Sequence, residues 1–268
     1  MSIDFPANPK AKPGYQLVFC DDFQATELDT DMWLPYYLPQ WSSKEKTKAR
    51  YSLQDNQLHL HIEEHQNPWS TEYNGDIRVS SLQTGCFSGP VGSKQGQHPF
   101  RDNLVVREEQ SMLRLYTPTY GYFEVRLNAV ALPGYLCALW MIGFEEDPKQ
   151  SSEMCICEIK GAHIGPEKSQ IGYGVHPFND PTIEDEFYED MVNIDASKFH
   201  IYAVDWTPDH IDFYIDNVKT RTIHQSPDYA MQFMLNIYEL TPESIDTPFP
   251  KTMIVDYVRG YERKRTKE

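Results

Sequence analysis

A chain of 268 residues with a formal charge of −16 must repel polyanions on average, which argues against nucleic acid and anionic membrane surfaces as partners. The same field disfavours heavily sulfated polysaccharides and leaves a neutral ligand as the easier fit. An apolar fraction of 40 % with 13 % aromatics sustains the core of one large β domain, and no apolar run approaches bilayer-spanning length.

Residues 1–15 read as an extended arm, broken by Pro6, Asn8-Pro9 and Pro13-Gly14. Strand-like runs follow at Gln16–Phe23, Gln57–Glu63, Tyr122–Val130, Leu136–Gly143, Met154–Ile159 and Ile171–His176. After a break come Phe199–Trp206, His210–Asp216, Val218–His224, Met231–Leu240 and Thr252–Tyr261. Many short strands, no βα alternation and no competing helical period indicate an all-β sandwich or barrel. Residues 64–118 and 177–195 read as long irregular insertions and are candidates for groove walls. No internal repeat or linker divides the chain, so a single domain over 1–268 is expected. The N-terminus has no apolar core of signal-peptide type. A cytoplasmic protein is therefore expected if Met1 is the native start, and a secreted one if a signal has been removed. Five cysteines without framework spacing read as free, mostly buried thiols.

The stretch with the strongest chemical content is Glu153-Met154-Cys155-Ile156-Cys157-Glu158. It places two carboxylates on one apolar strand, where an unpartnered charge is expensive to desolvate. Strict alternation would put Glu153, Cys155 and Cys157 on one face and turn Glu158 to the other. One bulged residue between the two glutamates restores them to a common face. A retaining sugar hydrolase needs its two carboxyl groups roughly 5–5.5 Å apart. Four strand steps at roughly 3.3 Å span about 13 Å, so the side chains must lean together across a concave surface.

Other chemistries are weaker. His59 and His61 share the polar side of one strand and His65 follows, without a metal signature. Asp180, Glu184 and Asp185 form an acidic loop that would need backbone oxygens to hold Ca²⁺. No metal and no cofactor are expected. Trp140 and Trp206 have indole faces suited to stacking on a pyranose, whereas Trp33 reads as core. Asn236 and Tyr238 are further groove candidates. Arg126 and Glu124 read as a cross-face pair without chemistry.

Read together, residues 120–143, 153–158, 199–217 and 253–262 resemble glycoside hydrolase family 16, the family of laminarinases, lichenases and related endo-glycanases. Residues 15–33 also look like its N-terminal strand. The resemblance implies a jelly-roll β-sandwich of concanavalin-like type with a concave substrate groove. It implies Glu153 as nucleophile and Glu158 as general acid/base of a retaining endo-β-glycosidase. It also tilts Trp140 and Trp206 toward the groove and places His176 near the acid/base. The substrate it suggests is a neutral polysaccharide or oligosaccharide, a β-1,3- or mixed-linkage glucan. The family pattern is Glu, any residue, Asp, two residues, Glu, and Cys155 stands where the Asp is expected. A thiol supplies no charge and is a weak donor, so Glu158 is expected to lose part of its upward pKa shift, giving slower turnover or a more acidic optimum. Two alternatives share these residues: a non-catalytic carbohydrate-binding sandwich, and a transglycosylase.

Overall fold

The computed structural model describes residues 3–241 and 247–264, so residues 1 and 2 of the expected arm lie outside the described residues. The strands in chain order begin with β1 (Tyr15–Asp21), β2 (Arg50–Gln54), β3 (Gln57–Ile62), β4 (Arg78–Gln83), β5 (Gly85–Cys86), β6 (Leu113–Arg114) and β7 (Gly121–Asn128). The central ones are β8 (Tyr135–Gly143), β9 (Glu153–Lys160), β10 (Ser169–His176) and β11 (Glu186–Val192). The last are β12 (His200–Trp206), β13 (Ile211–Ile215), β14 (Val218–Ile223), β15 (Met231–Glu239) and β16 (Lys251–Arg263).

They form two large antiparallel sheets packed face to face as a jelly-roll sandwich. One runs β14-β13-β12-β7-β16-β3-β2, with β1 also paired to β16; the other runs β11-β10-β9-β8-β15-β4. The alternation of β8 shows why. Tyr135, Cys137, Leu139 and Met141 enter the main core between the sheets, and Leu136, Ala138, Trp140 and Ile142 join a second cluster on the opposite face. In β15 Phe233, Leu235 and Ile237 take the core side while Met234 and Tyr238 take the outer side. Strands apolar on both faces are covered on both faces. The six-stranded sheet therefore has a roofed outer surface, and that is where the site lies.

Five strands fall where the sequence showed none: β2, β4, the two-residue β5 and β6, and β11. β2 and β4 are polar, yet Ser80, Ser81 and Gln83 of β4 are fully buried. Ser80 reconciles polarity with burial: its Oγ donates to the His61 carbonyl at 2.6 Å and accepts from Arg50 N at 3.0 Å. β4 thus turns part of the expected insertion at 64–118 into an edge strand of the site sheet. β11, within the expected insertion at 177–195, forms the other edge.

The arm lies along the eight-stranded sheet. The Phe5 carbonyl accepts from the Arg126 guanidinium at 2.7 and 3.0 Å, and the Asn8 carbonyl accepts from Arg259 at 2.8 Å. Arg126 pairs with Asp256 at 2.8 Å, and Glu124 instead faces Arg259 at 3.6 Å, so the expected Arg126–Glu124 pair does not form. Trp33 is wholly buried in the main core.

Candidate active site

On one side of β9, Trp140 pairs with Cys155 and Leu139 with Cys157, so Ile156 has no opposite residue on β8. On the other side, Gly174 faces Cys155 and Gly172 faces Glu158, with one residue of β10 spanning two of β9. Ile156 is the bulge. It and Cys157 both pack in the main core, while Glu153, Cys155 and Glu158 share the outer face. The two carboxylates line one cavity of about 210 Å³ with Tyr37, His98, Trp140 and Tyr238. β10 makes room by carrying glycine beside the acid. A Cβ on Gly172 would lie 2.8 Å from the Phe187 ring and 3.2 Å from Glu158 Cβ.

Burial pushes Glu153 up to about 7; Cys155 and His176 pull it back, and the charge of Glu158 pushes it further up. The pull of Cys155 is a hydrogen bond, its Sγ–H donating to Glu153 Oε1 at 2.9 Å. Burial also raises Glu158, opposed by Lys160 and His176. The upward shift of Glu158 thus persists without an Asp at 155. The larger upward shift falls on Glu153.

Trp140 donates its Nε1–H to Asn236 Oδ1, fixing the indole in the cleft wall and leaving the buried Asn236 Nδ2 without a partner. Tyr238 lines the cavity and packs edge-on to Tyr37 at 5.6 Å. His176 ends β10 directly opposite Glu153, stacked on Phe187 at 4.8 Å, with Nδ1 bonded to Asp185 Oδ1 at 2.6 Å. Trp206 is elsewhere. It is fully buried in the main core on the other sheet, and its Nε1–H donates to Ser226 Oγ at 2.8 Å. The groove position expected for Trp206 is therefore corrected: its parity on β12 turns it between the sheets.

The acidic-loop residues serve structure. Burial pushes Asp180 up, but donation by Tyr229, Thr182 and Ser152 outweighs it, and the carboxyl sits below its usual range. This network anchors the entry to β9. Asp185 is taken up by His176. His61 bonds Ser52 and Thr252, and His59 bonds Gln54.

Sequence reasoning missed His98. Its backbone is left-handed (φ 52°), and its N–H donates to Glu145 Oε1 at 2.6 Å. Its ring packs edge-on to Trp140 at 5.1 Å and to Phe178 at 4.8 Å. Nδ1 lies 3.9 Å from Glu153 Oε2 without a hydrogen-bond partner. Burial, helped by His176, pushes the ring down to about 3, so this contact is between a neutral imidazole and the carboxyl. The available signal was the Gly96-Gln97-His98-Pro99 run within the expected groove wall. Tyr37, Asn74 and Ile77 also line the cavity and carried no local signature.

A model of the family described as glycosyl hydrolases family 16 matches residues 110–248, more than half of the chain. The chain belongs to that family. Glucan endo-1,3-beta-glucosidase A1 of Niallia circulans is 24 % identical over 98 % of the chain and 40 % of that protein. A beta-glucanase of Acetivibrio thermocellus is 27 % identical over 44 % of the chain and 34 % of its own length. The chain thus spans two fifths or less of these relatives. Among solved structures, a GlcNAcα1-4Gal releasing endo-β-galactosidase from Clostridium perfringens superimposes with a TM-score of 0.82 at 32 % identity, over 97 % of the chain and 65 % of that structure. The catalytic domain of a Thermotoga petrophila laminarinase shares the fold, with a TM-score of 0.67 at 18 % identity over 94 % of the chain and 99 % of that structure.

Proposed function

We propose that this family 16 chain is an endo-acting β-glycosidase working with net retention. The observation that carries the reading is the bulge at Ile156, which turns Glu153 and Glu158 into one cavity. In this mechanism Glu158 protonates the glycosidic oxygen while Glu153 attacks the anomeric carbon. Glu158 then deprotonates the water that releases the covalent intermediate. Burial raises both carboxyls, and two like charges in one cavity disfavour each other, so the pair shares a proton more readily than two exposed glutamates would. Trp140 and Tyr238 supply apolar ring surface for a pyranose, whereas Asn236, expected in the groove, is fully buried behind Trp140 and is not among the cavity-lining residues.

A β-1,3- or mixed-linkage glucan backbone is supported by the glucanase relatives. A β-galactoside backbone is favoured by one specific observation, the endo-β-galactosidase whose likeness in both identity and TM-score exceeds that of the laminarinase. Incubation with laminarin, lichenan and a β-galactoside-containing oligosaccharide, followed by reducing-end assay, separates the two. Proton NMR of the first-formed product should show the β anomer. Binding without cleavage of any substrate, unchanged in Glu153→Gln, would replace this reading with a carbohydrate-binding one. Products longer than the substrate would indicate transglycosylation by the same pair.

A further inference from the structure

Glycoside hydrolysis gives no bond-making step to three features of the cleft: the thiol at 155, the unpaired nitrogen of His98, and the carboxylate behind His176. Glu153, Cys155 and His176 each offer a donor atom, and these atoms all lie within 4.8 Å of one another. Within that group Cys155 Sγ is 2.9 Å from Glu153 Oε1. A fourth donor, His98 Nδ1, is 3.9 Å from Glu153 Oε2 on a side chain only 9 % exposed, and has no partner. Donors around a tetrahedral zinc lie about 3.3–3.8 Å apart, from bond lengths of about 2.0–2.3 Å. The Cys155–Glu153 and His98–Glu153 spacings fall on either side of that range. We infer that the cleft also binds a divalent cation of the zinc class through Glu153, Cys155 and His176, with His98, which stands outside that close group but approaches Glu153, moving in as the fourth ligand.

Two further observations support the site. His176 Nδ1 is bonded to Asp185, which leaves Nε2 as the free ring nitrogen and fixes the imidazole. That carboxylate–histidine arrangement is the usual support behind a metal-bound imidazole. The chemistry of the donors also selects the ion. An Asp at 155 would favour oxygen-seeking cations, whereas a thiolate with two imidazoles favours zinc over magnesium or calcium. On binding, the Cys155 proton leaves to solvent and Glu153 enters ionised. Two anionic and two neutral ligands then balance the dication, which lowers the cost of burying charge in the cleft. A thiol that merely fills volume accounts for Cys155 but leaves the buried His98 Nδ1 unexplained. One consequence rests on the glycosidase reading: the ion occupies the nucleophile, so zinc is a reversible inhibitor.

The test is a Co²⁺ titration of the chelator-stripped full chain. The expected result is a sulfur-to-cobalt charge-transfer band with intense visible bands of four-coordinate cobalt, displaced by Zn²⁺. Cys155→Ser should abolish the charge-transfer band. Asp185→Asn, on a largely exposed side chain, should weaken binding about 10–100-fold with an unchanged circular-dichroism melt. Absence of the band in the unmodified chain overturns the site. So does its persistence in Cys155→Ser, or Asp185→Asn binding as tightly as the parent. Cobalt binding as described by a chain that cleaves no glycan when metal-free would sink the glycosidase reading alone. Cleavage by the metal-free chain, unaffected by Zn²⁺, would sink the metal site alone.

Discussion

Replacing Glu153 by Gln keeps the shape of the side chain and removes its charge, so its effect on stability should depend on pH in a calculable way. Burial raises this carboxyl from an ordinary 4.5 to about 7. At 1.36 kcal/mol per unit, the ionised form costs the fold about 3 kcal/mol. The sign follows from linkage. A carboxyl whose folded pKa is raised is proton-bound and harmless below its unfolded value near 4.5. It loses that advantage as pH rises through 7. Glu153→Gln should therefore match the parent at about pH 4.5 and exceed it by about 3 kcal/mol at about pH 9. For a domain of this size that corresponds to about 6–10 °C in Tm. Circular-dichroism melts of both proteins at several pH values, with chelator present, measure the difference, and the other titrating groups cancel from it. A stability difference that is constant with pH, or that shrinks toward alkaline pH, would refute the placement of Glu153 as a desolvated carboxyl. A stabilised but inactive variant would in turn show that this side chain strains the fold for the sake of chemistry.

Other expectations follow from the same geometry. Cys155→Ala removes the S–H donor that lowers Glu153, so the acidic limb of the pH–rate profile should move to higher pH, from its expected position near 7. Trp206→Phe should cost about 1–3 kcal/mol in denaturant unfolding through lost packing and the Ser226 hydrogen bond, with KM unchanged. Trp140→Phe, by contrast, shrinks a ring of the cleft wall and leaves the buried Asn236 oxygen behind it without a donor, and should raise KM. Deleting Ile156 leaves four regular strand steps between Glu153 and Glu158, so both carboxylates keep the outer face while a buried core side chain is lost. The expected outcome is destabilisation of about 2–5 kcal/mol with activity reduced but not abolished, whereas Ile156→Val should cost about 0.5–1.5 kcal/mol and retain activity.

What was legible depended on whether the physics is local. The bulge could be inferred because a strand period of two makes five positions between Glu153 and Glu158 incompatible with a shared face, and one extra residue is the smallest repair. The paired faces of β8 and β15 could be read from their apolar continuity. β4 could not, because Ser80 and Gln83 look like loop residues until the His61 and Leu38 backbone groups that satisfy them are in place. Trp206 failed for a related reason. Both faces of β12 are buried, so nothing local distinguishes the side between the sheets from the other. His98 comes from a segment 55 positions before Glu153, and only the folded loop, held by Glu145, brings its ring beside the carboxyl. The same nonlocality governs what the Cys155 substitution touches. Judged along the strand, the missing Asp bears on Glu158. In the folded cleft the thiol donates to Glu153, and the dominant influence on that carboxyl is the roof of Trp140, His98 and Tyr238 that excludes water. Chemistry carried by one strand is written in its spacing, while its tuning is written in whatever covers it.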